Sequence, residues 1–198
     1  MARKIVLASS NAGKVKEIQA LLADKDFEIV PQSALGIGDA EENGASFHEN
    51  ALIKARHAAR LSGLPAIADD SGLEVDALNG APGVYSARYA GSKSSDADNN
   101  RKLLSELQDV PASLRTARFR CVIVLLRDAD DPAPLVAEGS WEGSILEQGK
   151  GNSGFGYDPL FYVGEKDCSA AELSGEEKNR LSHRGKALFS LRAQLDQV

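Results

Sequence analysis

The strongest indication of the architecture lies near the start of the chain, in the run Ile5-Val6-Leu7-Ala8-Ser9-Ser10-Asn11-Ala12-Gly13-Lys14. Its four apolar residues, Ile5 to Ala8, predict a buried strand, and the small polar residues after them predict a turn. Apolar residues then recur with helical spacing, which predicts a helix from Val15 to Ala23. The segment therefore predicts a strand that passes through a short turn into a helix.

The next segments continue this alternation of strands and helices. Phe27 to Val30 predicts a second short strand. Ser46-Phe47-His48-Glu49 has the spacing of a capping box, which predicts a helix from there to about Leu61. Ala66-Ile67-Ala68 predicts a third strand that ends at the polar run Asp69-Asp70-Ser71-Gly72. This order implies an α/β fold with some parallel strand pairing.

The second half of the chain predicts a helix, a long hairpin, a glycine-rich loop and an amphipathic closing helix. In that order, these segments are Asp96–Leu107, Phe119–Leu126 with Leu135–Trp141, Gly149–Asp158, and Lys186–Leu195. No repeat or linker divides the sequence. We therefore expect one compact α/β domain over residues 1–198, with an elongated sheet.

The composition is that of an ordinary soluble protein. Of the 198 residues, 42% are apolar and 26% are charged, which argues against disorder and coiled coil. Lys and Arg number 23 and Asp and Glu 29, so the net charge of −6 lacks the basic footprint of nucleic-acid binding. No apolar run approaches the roughly 18 residues of a membrane span, and the N-terminal one is too short for a signal peptide. We expect a cytoplasmic protein that binds neither nucleic acid nor membranes.

The two cysteines, Cys121 and Cys168, cannot form a disulfide framework, and no Cys/His spacing indicates zinc. Cys121 lies in an apolar run and is expected in the core. Cys168 lies in a polar stretch, and the sequence assigns it no role.

The turn Ser9 to Lys14 is a candidate phosphate site. Backbone N–H groups at the start of a helix suit a phosphate, and Lys14 adds a full positive charge. A Walker A loop is not matched, because Leu7 and Ala8 stand near its first glycine position and Val15 follows the lysine. An ordinary strand-to-helix turn, capped by Ser or Asn, is the alternative.

Two pairs of carboxylates are candidate metal ligands. Glu41-Glu42 lies in a loop rich in glycine and acid, and Asp69-Asp70 follows the third strand. Adjacent carboxylates repel each other unless a cation joins them, and hard oxygen ligands beside a phosphate favour Mg²⁺. The alternatives are a solvated acidic loop, which is favoured for Glu41-Glu42 taken alone, and an Asp-Ser-Gly turn.

Two clusters in the last third of the chain can bind a nucleobase. Phe155-Gly156-Tyr157-Asp158-Pro159 offers a ring that stacks on a base, a carboxylate that accepts base N–H groups, and glycine for close approach. Lys178 and Ser182-His183-Arg184 offer donors for a carbonyl or phosphate oxygen. A tight turn before a strand and a simple helix junction are the alternatives.

Together and in this order, the clusters resemble the inosine triphosphate pyrophosphatase family, also called XTP/dITP diphosphatases. The matching stretches cover the chain from end to end. They are Ser10-Asn11-Ala12-Gly13-Lys14 with Glu17, Phe47-x-Glu49-Asn50-Ala51 with Lys54-Ala55, Ala68-Asp69-Asp70-Ser71-Gly72-Leu73, Gly80-Ala81-Pro82-Gly83-x-Tyr85-Ser86-Ala87-Arg88, Gly154-Phe155-Gly156-Tyr157-Asp158-Pro159, and Ser182-His183-Arg184. One small departure is Ser9-Ser10, where bacterial members often have Thr-Gly; both pairs are small, so the turn should be kept.

The resemblance implies an ITPase-like (Maf/Ham-type) α/β fold of two lobes around a long mixed central sheet, with the nucleotide in the cleft between them, and a homodimer. It implies hydrolysis of ITP, dITP and XTP to the nucleoside monophosphate and pyrophosphate, with Mg²⁺ as cofactor. Asp70 would accept the proton of the attacking water and, with Glu41, bind the metal. The implied substrate-binding residues are Ser9, Ser10, Asn11, Ala12, Gly13, Lys14, Lys54 and Lys178 at the triphosphate, Ser71 at the substrate, and Phe155, Gly156, Tyr157, Asp158, His183 and Arg184 at the base.

Two other functions compete with this one. A Maf-type pyrophosphatase would act on other modified or pyrimidine nucleotides, but Phe155 and His183-Arg184 fit a reader of keto-purines better. A non-catalytic nucleotide sensor would not need the carboxylates Glu41 and Asp70. The motifs contain no Ser-His-Asp or Cys-His arrangement, so no covalent intermediate is expected.

Overall fold

The structure, a computed structural model, describes residues 3–22 and 27–195. Its first half alternates strands and helices, as the sequence predicted. The elements are β1 (Arg3–Leu7), α1 (Ala12–Leu22), β2 (Phe27–Pro31), α2 (Phe47–Ser62) and β3 (Ala66–Val75). The predicted end of the first helix, at Ala23, lies outside the described residues.

The second half contains the predicted helix, hairpin and closing helix. A short strand follows the glycine-rich loop, where the tight-turn alternative places one, and a further two-residue strand was not predicted. These elements are α3 (Asp96–Glu106), β4 (Thr116–Leu126), β5 (Leu135–Ile145), β6 (Phe161–Val163), β7 (Cys168–Ser169), α4 (Gly175–Leu181) and α5 (His183–Leu195). The hairpin strands are longer than predicted: β4 begins at Thr116 and β5 ends at Ile145, and the added segments bury Ala117 and Ile145. A strand as short as β7 has too few residues to show a periodic pattern.

Seven strands of the described residues form one mixed sheet in the order β2-β1-β3-β4-β5-β6-β7, which confirms the predicted fold class. β1 is parallel to β2 and β3, whereas β6 is antiparallel to β5 and β7. Leu7 is in register with Ile67. Because parallel strands run in the same direction, this register brings Asp69 and Asp70 level with the turn that follows β1.

The predicted end of the third strand is wrong. β3 continues from Ala66 through Asp69 and Asp70 to Val75, so the two carboxylates lie inside a strand and not in a turn after it. Consecutive acidic residues normally interrupt a buried strand, because an unpaired buried charge is costly. Here cationic side chains from other segments pair with the carboxylates, as described below.

The chain forms two compact units. The first comprises Met1–Asp70, Cys121–Gly139 and Arg184–Val198, and the second comprises Ser71–Arg120 and Ser140–His183. The core of the first unit packs residues of β1, α1, β4 and α5, including Ile18, Ile123 and Leu188. The core of the second unit is richer in aromatic residues and includes Phe119, Trp141 and Phe161. None of the helices in the described residues is both long and apolar enough to span a membrane.

Candidate active site

Asp69 is the most deeply buried carboxylate of the first unit, with 1% of its surface exposed. Its Oδ2 lies 3.2 Å from Nζ of Lys14 and 3.1 Å from Nη2 of Arg184. Burial alone would raise the pKa of Asp69, but Lys14 and Arg184 together hold it well below its ordinary value. Asp69 is therefore a permanent anion that joins the phosphate-site turn to the start of α5.

Asp70, the next residue in β3, has a different environment. Its Oδ1 accepts a hydrogen bond from Nζ of Lys54 at 2.8 Å, while its Oδ2 is buried without a hydrogen-bond partner among the described residues. Burial raises the pKa of Asp70, and the attraction of Lys54 only partly opposes this shift. Two adjacent carboxylates thus have pKa values pushed in opposite directions, which is a common arrangement of an acid–base site.

Lys54, on α2, is shared between two carboxylates. Its Nζ lies 2.8 Å from Oδ1 of Asp70 and 2.9 Å from Oε1 of Glu42. Burial lowers the pKa of Lys54, but the surrounding carboxylates, Asp70 first, raise it above its ordinary value. We call Lys14, Lys54, Glu42, Asp69, Asp70 and Arg184 the carboxylate–cation cluster.

The acidic loop that contains Glu41 and Glu42 meets this cluster through Glu42. The resemblance implies Glu41 as a metal ligand, but the side chain of Glu41 is exposed, and Glu42 is the residue that lies beside Lys54. The role of Glu41 stays a prediction. Among the described residues no three His, Cys, Asp or Glu side chains form a metal cage.

The turn Ser9 to Lys14 has the predicted form of a capped strand-to-helix turn. Oδ1 of Asn11 accepts a hydrogen bond from the backbone N–H of Lys14 at 3.1 Å, and Oγ of Ser9 accepts one from the N–H of Asn11 at 3.3 Å. The hydroxyl of Ser10 donates to Asp39 at 2.7 Å, a contact that no sequence motif indicated. The turn is thereby held open to solvent at the N-terminus of α1.

Arg184 is buried against two carboxylates, to which it donates from Nε, Nη1 and Nη2. It is 1% exposed, and besides Asp69 it pairs with Glu17 of α1. Burial would lower the pKa of Arg184, but Asp69 and Glu17 raise it above its ordinary value. Glu17 belongs to the quoted motif but received no role from the sequence. The signal that could have indicated a role for Glu17 is its position one turn after Lys14 on the same helix.

The second unit contains the predicted base-binding loop, and Lys178 lies against it. Oδ2 of Asp158 accepts hydrogen bonds from Nζ of Lys178 at 2.6 Å and from the backbone N–H of Phe155 at 2.9 Å. The same Nζ lies 4.7 Å from the centroid of the Phe155 ring, within cation–π distance. We call Phe155, Asp158 and Lys178 the loop cluster. The predicted contact of Lys178 with the triphosphate stays a prediction.

Gly154 allows this cluster to close. Its φ is +79°, and a Cβ there would lie 2.1 Å from Oδ2 of Asp158, so a larger residue would displace the carboxylate.

Tyr157 and His183, two further residues predicted to bind the base, are buried in the second unit. The hydroxyl of Tyr157 donates to the backbone carbonyl of Ser86 at 2.9 Å, which anchors the loop to the core. The ring of His183 stacks on Phe119, with ring centroids 4.8 Å apart. Ser71 is a partly exposed residue of β3, directly after Asp70.

The chain is similar to proteins of one family along nearly its whole length. The model of the Ham1 family matches residues 5–194. The chain is 65% identical to the dITP/XTP pyrophosphatase of Methylococcus capsulatus, over 98% of this chain and 97% of that protein. A HAM1 protein from Coxiella burnetii has a similar structure, with 50% identity, a TM-score of 0.91, and coverage of 99% of this chain and 100% of that one. The Staphylococcus aureus Ham1 protein is 42% identical, with a TM-score of 0.86 and coverage of 98% and 99%. The chain therefore belongs to the Ham1 family, which confirms the resemblance that its motifs indicated.

Proposed function

We propose that the protein hydrolyses the deaminated purine nucleotides ITP, dITP and XTP to the nucleoside monophosphate and pyrophosphate, which removes them from the nucleotide pool. The observation that carries this proposal is the pair Asp69 and Asp70, adjacent buried carboxylates beside the phosphate-site turn that form ion pairs with Lys14 and Lys54. The names of the relatives support the same reaction.

The residues proposed to bind the triphosphate belong to the first unit. The triphosphate binds at the turn from Ser9 to Lys14, because backbone N–H groups at the start of a helix suit a phosphate. The pyrophosphate leaving group gains negative charge as the bond breaks. Lys14 and Lys54 neutralise that charge, the dominant requirement of phosphoryl transfer.

Asp70 accepts the proton of the attacking water. Its Oδ2 has no hydrogen bond among the described residues, whereas Asp69 is held by Lys14 and Arg184, which keep its pKa low. Asp69 instead holds Lys14 in place. Ser71, the next residue, contacts the substrate.

The site fits Mg²⁺. Oδ2 of Asp70 is buried with no hydrogen bond among the described residues, and Mg²⁺ takes one or two carboxylates and completes its shell with water and phosphate. Asp70 and Glu41 would hold the ion, with Glu42 as a further candidate because it already reaches Lys54. When bound, the ion supplies positive charge to the phosphate oxygens and eases the ionisation of water.

The residues proposed to meet the base are Phe155, Asp158, His183 and Arg184, while Gly156 and Tyr157 shape the loop that presents Phe155 and Asp158. Phe155 stacks on the base, and Asp158 accepts its N–H groups. Because Lys178 contacts both of these residues, we assign it to the base side rather than to the triphosphate. Inosine and xanthine carry an oxygen at purine position 6, where adenine carries an amino group. His183 and Arg184 donate to that oxygen, and leaving such donors unpaired costs about 1–3 kcal/mol each.

Pyrophosphate release from ITP, dITP, XTP, ATP and GTP, each with Mg²⁺ and with EDTA, tests the proposal. We expect rapid release from the first three, slow release from ATP and GTP, and none with EDTA. Nucleotide binding without pyrophosphate release would support the sensor alternative. A preference for pyrimidine nucleotides would support a Maf-type activity.

We also propose a homodimer that works in the cytoplasm and binds neither nucleic acid nor membranes. The resemblance supports the dimer, and the net charge of −6 supports the absence of a nucleic-acid partner. Light scattering of the purified protein measures the dimer directly, and a monomeric mass at micromolar concentration would contradict it.

A further inference from the structure

Helix α3 holds one residue of the base-binding loop by both of its backbone groups. The N–H of Gly156 donates to Oδ2 of Asp96 at 2.7 Å, and Nδ2 of Asn100 donates to the carbonyl oxygen of Gly156 at 2.9 Å. Asp96 and Asn100 are four residues apart in α3 and therefore lie on the same face of the helix. The peptide groups on both sides of Gly156 are thus fixed in orientation.

The first turn of α3 is itself firmly anchored. Ser95 and Asp98 form a capping box, which satisfies the N-terminal N–H groups of the helix. The side chain of Asn99 donates to the carbonyl of Ala87 and accepts from the N–H of Ala90. Leu103 is fully buried in the core of the second unit. The helix is therefore a rigid support for the loop that it contacts.

Fixing Gly156 also fixes the two side chains that meet the base. Phe155 precedes Gly156, and its N–H is bonded to Asp158, so the ring and the carboxylate move with the same short segment. The N–H and carbonyl of Gly156 are used inside the protein. Recognition by this segment therefore falls to the ring of Phe155 and the carboxylate of Asp158.

We infer that Asp96 and Asn100 are positioning residues for base selection. They set the location of Phe155 and Asp158 without contacting the nucleotide. This inference rests on the proposed function, and it extends the specificity machinery to a helix outside the sequence motifs. Their loss changes substrate affinity and selectivity rather than the chemical step.

Steady-state kinetics of Asp96→Ala and Asn100→Asp test the inference. Asp96→Ala removes the acceptor, and Asn100→Asp replaces the donor with an acceptor of equal size. We expect KM for ITP to rise about three- to tenfold in each variant, because Asp96→Ala loses an exposed hydrogen bond to a charged acceptor and Asn100→Asp loses a partly buried one. In both variants kcat should stay within about twofold. The preference for ITP over ATP should narrow. Asp96→Asn should recover most of the loss, because its amide oxygen can accept the same bond.

Asp98→Ala is the matched control. It removes an acidic residue from the same helical turn and breaks the capping box, but the contacts of Asp98 are with Ser95 and Arg101 and not with Gly156. Because it loosens the first turn of α3 without removing a bond to Gly156, it should raise KM by less than about twofold and leave selectivity unchanged. If Asp98→Ala raised KM as much as Asp96→Ala, general weakening of α3 would explain the effect and the positioning role would be overturned.

Amide hydrogen exchange at Gly156 in the nucleotide-free protein gives a readout independent of catalysis. Exchange should accelerate in Asp96→Ala and stay at the wild-type rate in Asp98→Ala. Unchanged KM and selectivity in Asp96→Ala, with an active wild-type enzyme, would overturn the positioning role alone. A wild-type protein that released no pyrophosphate from any nucleotide would instead overturn the proposed function.

Discussion

A lysine–aspartate ion pair of nearly the same length occurs in each of the two units. Nζ of Lys54 lies 2.8 Å from Oδ1 of Asp70 in the first unit, and Nζ of Lys178 lies 2.6 Å from Oδ2 of Asp158 in the second. The surroundings of the two pairs differ in every other respect. The comparison shows that the role of an ion pair is set by what lies around it.

Around Lys54 and Asp70 the neighbours are charged. Glu42 also pairs with Lys54, and Asp69, which pairs with other cations, precedes Asp70 in the strand. These charges influence the proton affinity of Asp70 and the positive charge available to the phosphates. Lys178 lies over the ring of Phe155, and Asp158 accepts a hydrogen bond from the backbone N–H of Phe155. This second pair therefore fixes the shape of the loop and the direction of its hydrogen bonds. We therefore assign chemistry to the first pair and base recognition to the second.

Replacing the two aspartates should separate these roles most strongly. Asp70→Asn should lower kcat about a thousandfold or more while nucleotide binding stays measurable, because the proton acceptor and a metal ligand are lost together. Asp158→Asn should mainly raise KM for ITP. Pyrophosphate release and equilibrium binding measure the two effects.

Asp131→Asn serves as the control for Asp70→Asn, since Asp131 is a buried carboxylate of the first unit that pairs only locally, with Arg127 and nearby backbone. Turnover in the control should be unchanged. If Asp70→Asn kept more than about a tenth of wild-type turnover, the base would lie elsewhere, with Asp69 the first candidate.

Removing Arg184 tests whether the first unit depends on its charge network. Arg184→Ala leaves the buried Asp69 with Lys14 as its remaining close cation, and breaking a buried ion pair typically costs about 3–5 kcal/mol of unfolding free energy. Urea denaturation measures this loss, and a change below about 1 kcal/mol would contradict the account. The ratio of ITP to ATP hydrolysis in the same variant tests base reading, since that role predicts a narrower preference for ITP.

The smallest expected effect comes from a surface ion pair beside Lys178. Glu177, its neighbour on α4, bonds to Lys166 and Ser174, which together lower the pKa of Glu177 from 4.5 to about 2. A lowered folded-state pKa adds stability above pH 4.5 that is lost as the pH falls toward 2. Glu177→Gln should therefore lower the Tm by about a degree at pH 7, and the difference from wild type should vanish near pH 2. A difference that persisted at pH 2 would contradict this origin.

Much of the fold and part of the site could be predicted because the signals are local. Helical spacing and capping residues identified α2 and α3, and the order of short motifs along the chain identified the family. The continuation of β3 through Asp69 and Asp70 could not be predicted, because the cations that permit it come from α1, α2 and α5.

Contacts between distant segments could not be predicted from the sequence for the same reason. Asp96 lies 60 residues from Gly156 in the chain, and no periodic pattern connects them. Glu41 and Glu42 are adjacent in an irregular loop, where the sequence cannot tell which side chain faces Lys54.

The central claim is that two similar ion pairs serve different steps, and one measurement tests it directly. Lys54→Met and Lys178→Met each remove a cation of similar size, and kcat and KM are measured for both variants with ITP and ATP. The account predicts that Lys54→Met lowers kcat at least about a hundredfold on both nucleotides and leaves their ratio unchanged. Lys178→Met should instead raise KM for ITP and narrow its preference over ATP, with kcat within about threefold. Equal losses of kcat on both nucleotides in Lys178→Met would place that lysine on the triphosphate and contradict the division of roles.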